Sequence, residues 1–266
     1  MMKVFVFLWR DWLIESGYRL SFFLRWFGVF FNVFVYYFLG RLISPAAVPA
    51  LAPYGGDYFA FVLVGIALNG YFAIGLNTFA SNLRQAQMTG TLEAMLMTPT
   101  RLSTLVIGSS LWDYVSTTIN VLVYLAMGAF LGADLSRGNL MAAVCVLALS
   151  IITFSAVGIL AASVILVTKR GDPVTWLFNA LLTLLGGVYY PVEILPGFLQ
   201  WLAHWLPVTY ALHATRLALL QGYSLSALAP DLAILAAFAV VLVPLSLWSF
   251  RFAVNLAKRE GSLAQY

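Results

Sequence analysis

The side chains able to do acid–base or nucleophilic chemistry are few in this chain and widely spaced. His204 and His213 stand nine residues apart in a broken apolar stretch, Asp113 sits inside a long apolar run, and Cys145 is the single cysteine. Two imidazoles can share a metal ion, but a stable site needs three or four ligands, and no carboxylate cluster accompanies these two. Hydrogen-bonding histidines are therefore the better reading. A carboxylate within a span is a functional suspect by default. Asp113, however, lies about three turns from the end of its run, within reach of headgroups or Arg101, and is read as structural. Cys145 cannot close an internal disulfide and suits helix packing. There is no G-x-x-x-x-G-K-[ST] loop to cradle nucleotide phosphates, no H-E-x-x-H metal motif and no G-x-S-x-G nucleophile turn. An enzyme reading is poor, its best form being a lipid-modifying activity through His204 and His213.

The elements that hold these residues follow from composition. Of the 266 residues 62% are hydrophobic and only 9% charged, with a mean hydropathy of +0.94. Soluble domains carry about a quarter charged residues. The expected fold is an all-α polytopic membrane protein, one transmembrane domain over 1–266, and nothing in it suggests a nucleic-acid partner. The first twenty residues mix charges with aromatics and lack a leader's apolar core and cleavage site, so no cleaved targeting segment is expected. Residues 3–20 read instead as an interfacial helix, with Asp11, Glu15 and Arg19 at i, i+4 steps towards water.

Six spans are expected at 26–43, 58–80, 102–131, 140–167, 174–190 and 232–250. The first is dense in aromatic residues, which suit lipid contact and packing or, alternatively, a pathway for a sugar-bearing substrate. Asn69 and Asn77 lie in the second, where Gly65, Gly70 and Gly75 permit close helix contact. Pro173 stands at a helix start after the basic turn carrying Lys169 and Arg170. Residues 191–222 are apolar but broken by Pro196 and Pro207. Their pieces are too short to cross about 30 Å of hydrocarbon, which predicts two short re-entrant or interfacial helices. With an even number of spans both termini share a side. That side collects Lys3, Arg10, Arg19, Arg25, Arg84, Arg101, Lys169, Arg170, Arg251, Lys258 and Arg259, against Arg41, Arg137 and Arg216 opposite. The positive-inside rule makes the richer side cytoplasmic.

Residues 82–101, NLRQAQMTGTLEAMLMTPTR, form the longest stretch that reads as water-facing helix between two spans. Met88, Leu92, Met95 and Leu96 make one apolar stripe. Thr91 suits an N-cap, Glu93 falls in the first turn where the helix dipole favours a carboxylate, and Pro99 stops the helix. Such a helix can lie on lipid headgroups or dock on a protein. A proton- or sodium-driven carrier would need several ionisable groups at mid-membrane and often an inverted repeat; neither is evident, which places the energy source outside the chain.

GTLEAMLMTPT after the second span, the short turn after the fourth, and VYYPVEILPGFLQWLAHWLPVTYALHATRLALLQG before the last resemble the type-2 ATP-binding-cassette exporter permeases of bacteria. The resemblance runs over nearly the whole chain. It implies a transport subunit without cofactors of its own, paired with a second permease copy and carried by two cytoplasmic ATPases that hold ATP and magnesium in the bacterial inner membrane. By that resemblance, segment 82–99 is the coupling helix. Gly90, Thr91, Leu92 and Glu93 open it, Met95, Leu96 and Pro99 close it, and Lys169 and Arg170 make a secondary contact. The same resemblance puts the pathway along the second and fifth spans, at Asn69, Asn77, Phe178 and Asn179. It implies export of an amphipathic small molecule, lipid or lipo-oligosaccharide, with polysaccharide or glycolipid as the alternative. A stand-alone channel is the remaining competitor.

Overall fold

The computed structural model describes residues 19–43, 48–88, 102–168 and 172–259, and among them the chain is helical with no strand. In order the helices are α1 (Arg19–Leu42), α2 (Tyr58–Met88), α3 (Leu102–Phe130), α4 (Leu140–Thr168), α5 (Asp172–Leu185), α6 (Gly197–Ala203), α7 (Pro207–Gln221) and α8 (Ala229–Arg259). Short 3-10 turns at Pro49–Tyr54 and Val192–Ile194 complete the path. Helices answer the demand of hydrocarbon that every backbone N–H and C=O be satisfied within its own segment. Among the described residues three stretches are long and apolar enough to cross a membrane: Tyr58–Thr78, Leu140–Ile165 and Ala229–Leu256. Phe27–Leu42 and Trp176–Leu185 are shorter apolar stretches.

α2 is the central element, packed against α1, α3, α4, α5 and α7. Its apolar stretch is 72% buried, against 39% for that of α4 and 17% for that of α8. A helix apolar on every side suits this central place. Gly75 sets how closely α4 approaches, since a Cβ there would lie 2.7 Å from Phe154 Cβ, and the rings of Phe72 and Phe154 meet at 4.3 Å. Hydroxyls tie the helices together: Tyr71 donates to Thr118 on α3 at 2.7 Å, and Tyr114 and Ser155 join α3 to α4 at 2.6 Å. Such links are worth most where water is absent.

Helix ends follow local chemistry. The Asp57 carboxylate accepts the Phe59 N–H at 2.8 Å ahead of α2, and Asn139 accepts the Ala142 N–H at 3.1 Å ahead of α4. Pro207 does not break a helix; it begins α7, where its missing N–H costs nothing. Gly222, at φ +70°, ends α7 in the left-handed conformation that a side chain disfavours. α8 continues through Pro244. Several bounds differ from the sequence reading, with α1 beginning at Arg19 rather than 26 and α8 running on to Arg259 rather than 250. The helix of the fifth apolar segment ends at Leu185, and α2 runs on to Met88, so that 82–88 continues α2 rather than opening a separate helix. Gly90, Thr91, Leu92, Glu93, Met95, Leu96, Pro99, Lys169 and Arg170 lie outside the described residues, as does 3–18.

Candidate functional site

Three connections gather at one end of the helices and build a cap. Asn139 N–H donates to Ala218 O on α7 at 2.8 Å, and the Tyr54 ring packs edge-on against Phe61 at 5.0 Å and His213 at 5.8 Å. α7, expected from its length to be re-entrant or interfacial, is sunk among α2, α4 and α8, with Val208, Leu212, Thr215 and Ala218 buried.

Arg216 on α7 fastens this cap to the bundle. Its Nε donates to Phe61 O at 3.1 Å, and its two terminal nitrogens donate to Gly187 O and Val188 O, each at 2.8 Å. The guanidinium also lies 3.5 Å from the centroid of the Phe61 ring. A cation this deep must find its compensation in the protein, and here carbonyl dipoles and a ring face supply it. Burial pulls its pKa down to about 9, opposed by Tyr54 and Glu193; at neutral pH it stays protonated. Gly65 makes the arrangement possible, because a Cβ at that position would run into Val188 O and the guanidinium.

Beside Arg216 a cavity of about 320 Å³ opens, walled in part by Tyr54, Glu193, Gln200, His204, His213 and Asp231. His213 Nδ1 lies 2.9 Å from an Asp231 carboxylate oxygen at the start of α8. His204 Nδ1 lies 2.6 Å from Gln200 O. Carboxylate and carbonyl oxygens only accept, so in both rings Nδ1 carries a proton. Burial pushes the Tyr54 hydroxyl up to about 12, with Glu193 and Asp231 adding to the rise and Arg216 opposing it. The two histidines thus hydrogen-bond as expected, and among the described residues no three of His, Cys, Asp and Glu come together to hold a metal ion.

A second polar contact lies between α2 and α5. The Asn179 side-chain amide donates to Asn77 Oδ1 at 3.2 Å, while the Asn77 amide donates back to Ala73 O at 2.7 Å. The structure therefore brings together two of the four residues expected on the pathway. Phe178 is 39% exposed. Asn69 is half-buried on α2, about 12 Å along the axis from Asn77. Asp113 and Cys145 are half-buried on α3 and α4.

A family model described as ABC-2 family transporter protein matches residues 47–248, from just before α2 to well inside α8. The chain belongs to the ABC-2 transporter family. Among curated proteins none matches it. Members of this family are membrane-embedded transport subunits of ABC transporters, and an ABC ATPase is their general partner. The protein is accordingly a membrane permease, and the three long apolar stretches agree with that placement.

Sequence reasoning counted Arg216 as a charge on one side of the membrane and passed over Tyr54, Glu193 and Asp231. One signal was available. A lone arginine in the apolar helix ALHATRLALL must either reach water or be compensated inside, and position 216 is too central in that helix to reach water easily.

Proposed function

We propose that this permease is the membrane subunit of an ATP-driven exporter in the bacterial cytoplasmic membrane, with six spans and both termini in the cytoplasm. Two copies form the pathway, and two ATPase subunits, which bind ATP and magnesium, drive it by alternating access. The cargo is an amphipathic small molecule, lipid or lipo-oligosaccharide. The observation that carries this reading is the family match across 47–248 in a chain without a nucleotide-binding loop of its own.

The arrangement of the bundle supports it further. α1 and α5 present Phe27, Phe31, Phe38, Trp176 and Leu177 outward. Such rows need lipid or a second copy to cover them. The cap carries Arg137, Glu193 and Asp231 at one end of the helices, and α2 ends at Met88 and α3 begins at Leu102 towards the other. On this reading Gly90, Thr91, Leu92, Glu93, Met95, Leu96 and Pro99 form the coupling helix, with Lys169 and Arg170 beside it. Closure of the ATPases on ATP stabilises one state of the dimer over the other, which is what a population shift requires. The Asn77–Asn179 contact joins the two helices assigned to the pathway.

The test is reconstitution with the ATPase encoded beside it. The double variant Leu92→Asp, Glu93→Arg should lose stimulation of ATP hydrolysis and complex formation while the permease still elutes as a single species. Intact stimulation in that variant, or ion conductance without any ATPase, would sink the proposal. Uptake of labelled cargo into inverted vesicles, dependent on ATP, reads the direction.

A further inference from the structure

We propose that the cavity beside Arg216 is a binding site for a small organic cation that carries an ammonium group. Its donor and acceptor inventory is lopsided. The Gln200 amide nitrogen already donates twice, to Glu193 O at 3.0 Å and Leu195 O at 2.8 Å. Thr209 donates to Ala203 O at 2.7 Å and Tyr210 to His204 O at 3.1 Å. Both histidines donate from Nδ1 to protein oxygens, and each nitrogen of Arg216 donates to a backbone carbonyl. The groups left unmatched are mainly acceptors: Gln200 Oε1, the Glu193 carboxylate and the second oxygen of Asp231, against two further N–H of the inward-turned Arg216 guanidinium. The Tyr54 hydroxyl can accept as well as donate.

Charge points the same way. One guanidinium against two carboxylates leaves the cavity wall with one net negative charge when both imidazoles are neutral. The guanidinium is turned into the protein and rests on Phe61, whereas Glu193 is exposed and Asp231 is partly so. An ammonium group brings three donors and a positive charge, and the aromatic walls at Tyr54 and Tyr210 suit a cation as well. An anion would meet two carboxylates, a sugar would bring no charge to match them, and among the described residues a transition metal would lack a third ligand. At about 320 Å³ the space suits a diamine or an aralkylamine rather than a lipid chain. The site stands independently of the exporter reading, which bears only on the side of the membrane it faces.

The experiment is titration calorimetry on the full chain purified in detergent, with phenethylamine and spermidine as ligands and citrate, glucose and zinc chloride as comparators. The amines should bind, more weakly as salt rises, and the comparators should not. Glu193→Gln, at an exposed position, should weaken amine binding about tenfold, the value of one charge-assisted hydrogen bond. Adding Asp231→Asn should abolish it in a protein that elutes as wild type. No heat with either amine, binding of a comparator instead, or amine binding unchanged in Glu193→Gln overturns the proposal. Glu193→Cys in a Cys145→Ser background should react with a membrane-impermeant maleimide on intact cells. Reaction only after lysis overturns the orientation in the proposed function and leaves the calorimetric result standing.

Discussion

Replacing Arg216 by methionine is the sharpest test of how the cap is held. Methionine keeps much of the volume and removes the charge and every donor. The three carbonyls then fare differently. Phe61 O lies inside α2, where the helix provides its own N–H donor. Gly187 O and Val188 O lie in the turn after α5, and among the described residues no other donor reaches them. Two buried carbonyls left without a partner cost about 1–3 kcal/mol each, or about 2–6 kcal/mol together. Release from burying a cation offsets part of this, so a net loss of about 3 kcal/mol is expected. In a chain of this size that corresponds to a fall of roughly 6–12 °C in the apparent melting temperature in detergent. Arg216→Lys should fall between, because a single ammonium cannot span the fork that three carbonyls occupy. A melting temperature for Arg216→Met within about 1 °C of wild type would refute the account, since it would mean the turn at 186–188 does not depend on this side chain.

Two glycines of the long helices should respond oppositely to alanine. Gly75→Ala should lower the melting temperature, because the new Cβ meets Phe154 at 2.7 Å. Gly28→Ala should leave it unchanged or raise it, since nothing lies within 4 Å and alanine favours helix by up to about 1 kcal/mol. A double-mutant cycle on Asn77→Ala and Asn179→Ala, read by thermal stability, should return a coupling of about 0.6–1.7 kcal/mol, the range for hydrogen bonds between membrane helices. Simple additivity would show that the contact carries no energy.

Several features were legible from the chain because they depend on periods and lengths. Apolar runs interrupted by Gly, Pro and single polar residues gave helices whose bounds fall close to the observed ones, as at Tyr58 and Leu140. Two short helices between Pro191 and Gly222 also follow from segment length, with α6 and α7 in that interval. Pro207 stands at the boundary between them, at the start of α7, where a helix accepts proline without losing a hydrogen bond. The resemblance named Asn77 and Asn179 separately as pathway residues, but their contact was not legible, since 102 residues separate the two.

Membrane residence was determined by the sequence itself, because hydrocarbon leaves so apolar a chain few alternatives and forces its segments into helices. The absence of a nucleotide-binding loop was equally a matter of sequence, and it directed attention to an outside source of energy. Tertiary structure alone decided where the charges go. Arg216 finds carbonyls on two other segments, and His213 finds Asp231 eighteen residues away. The physical reason is that burial and pairing depend on what lies across the gap between helices, which no local period records. For the same reason the cap cavity, with its excess of acceptors, emerged only when three separate connections were brought to one end of the bundle.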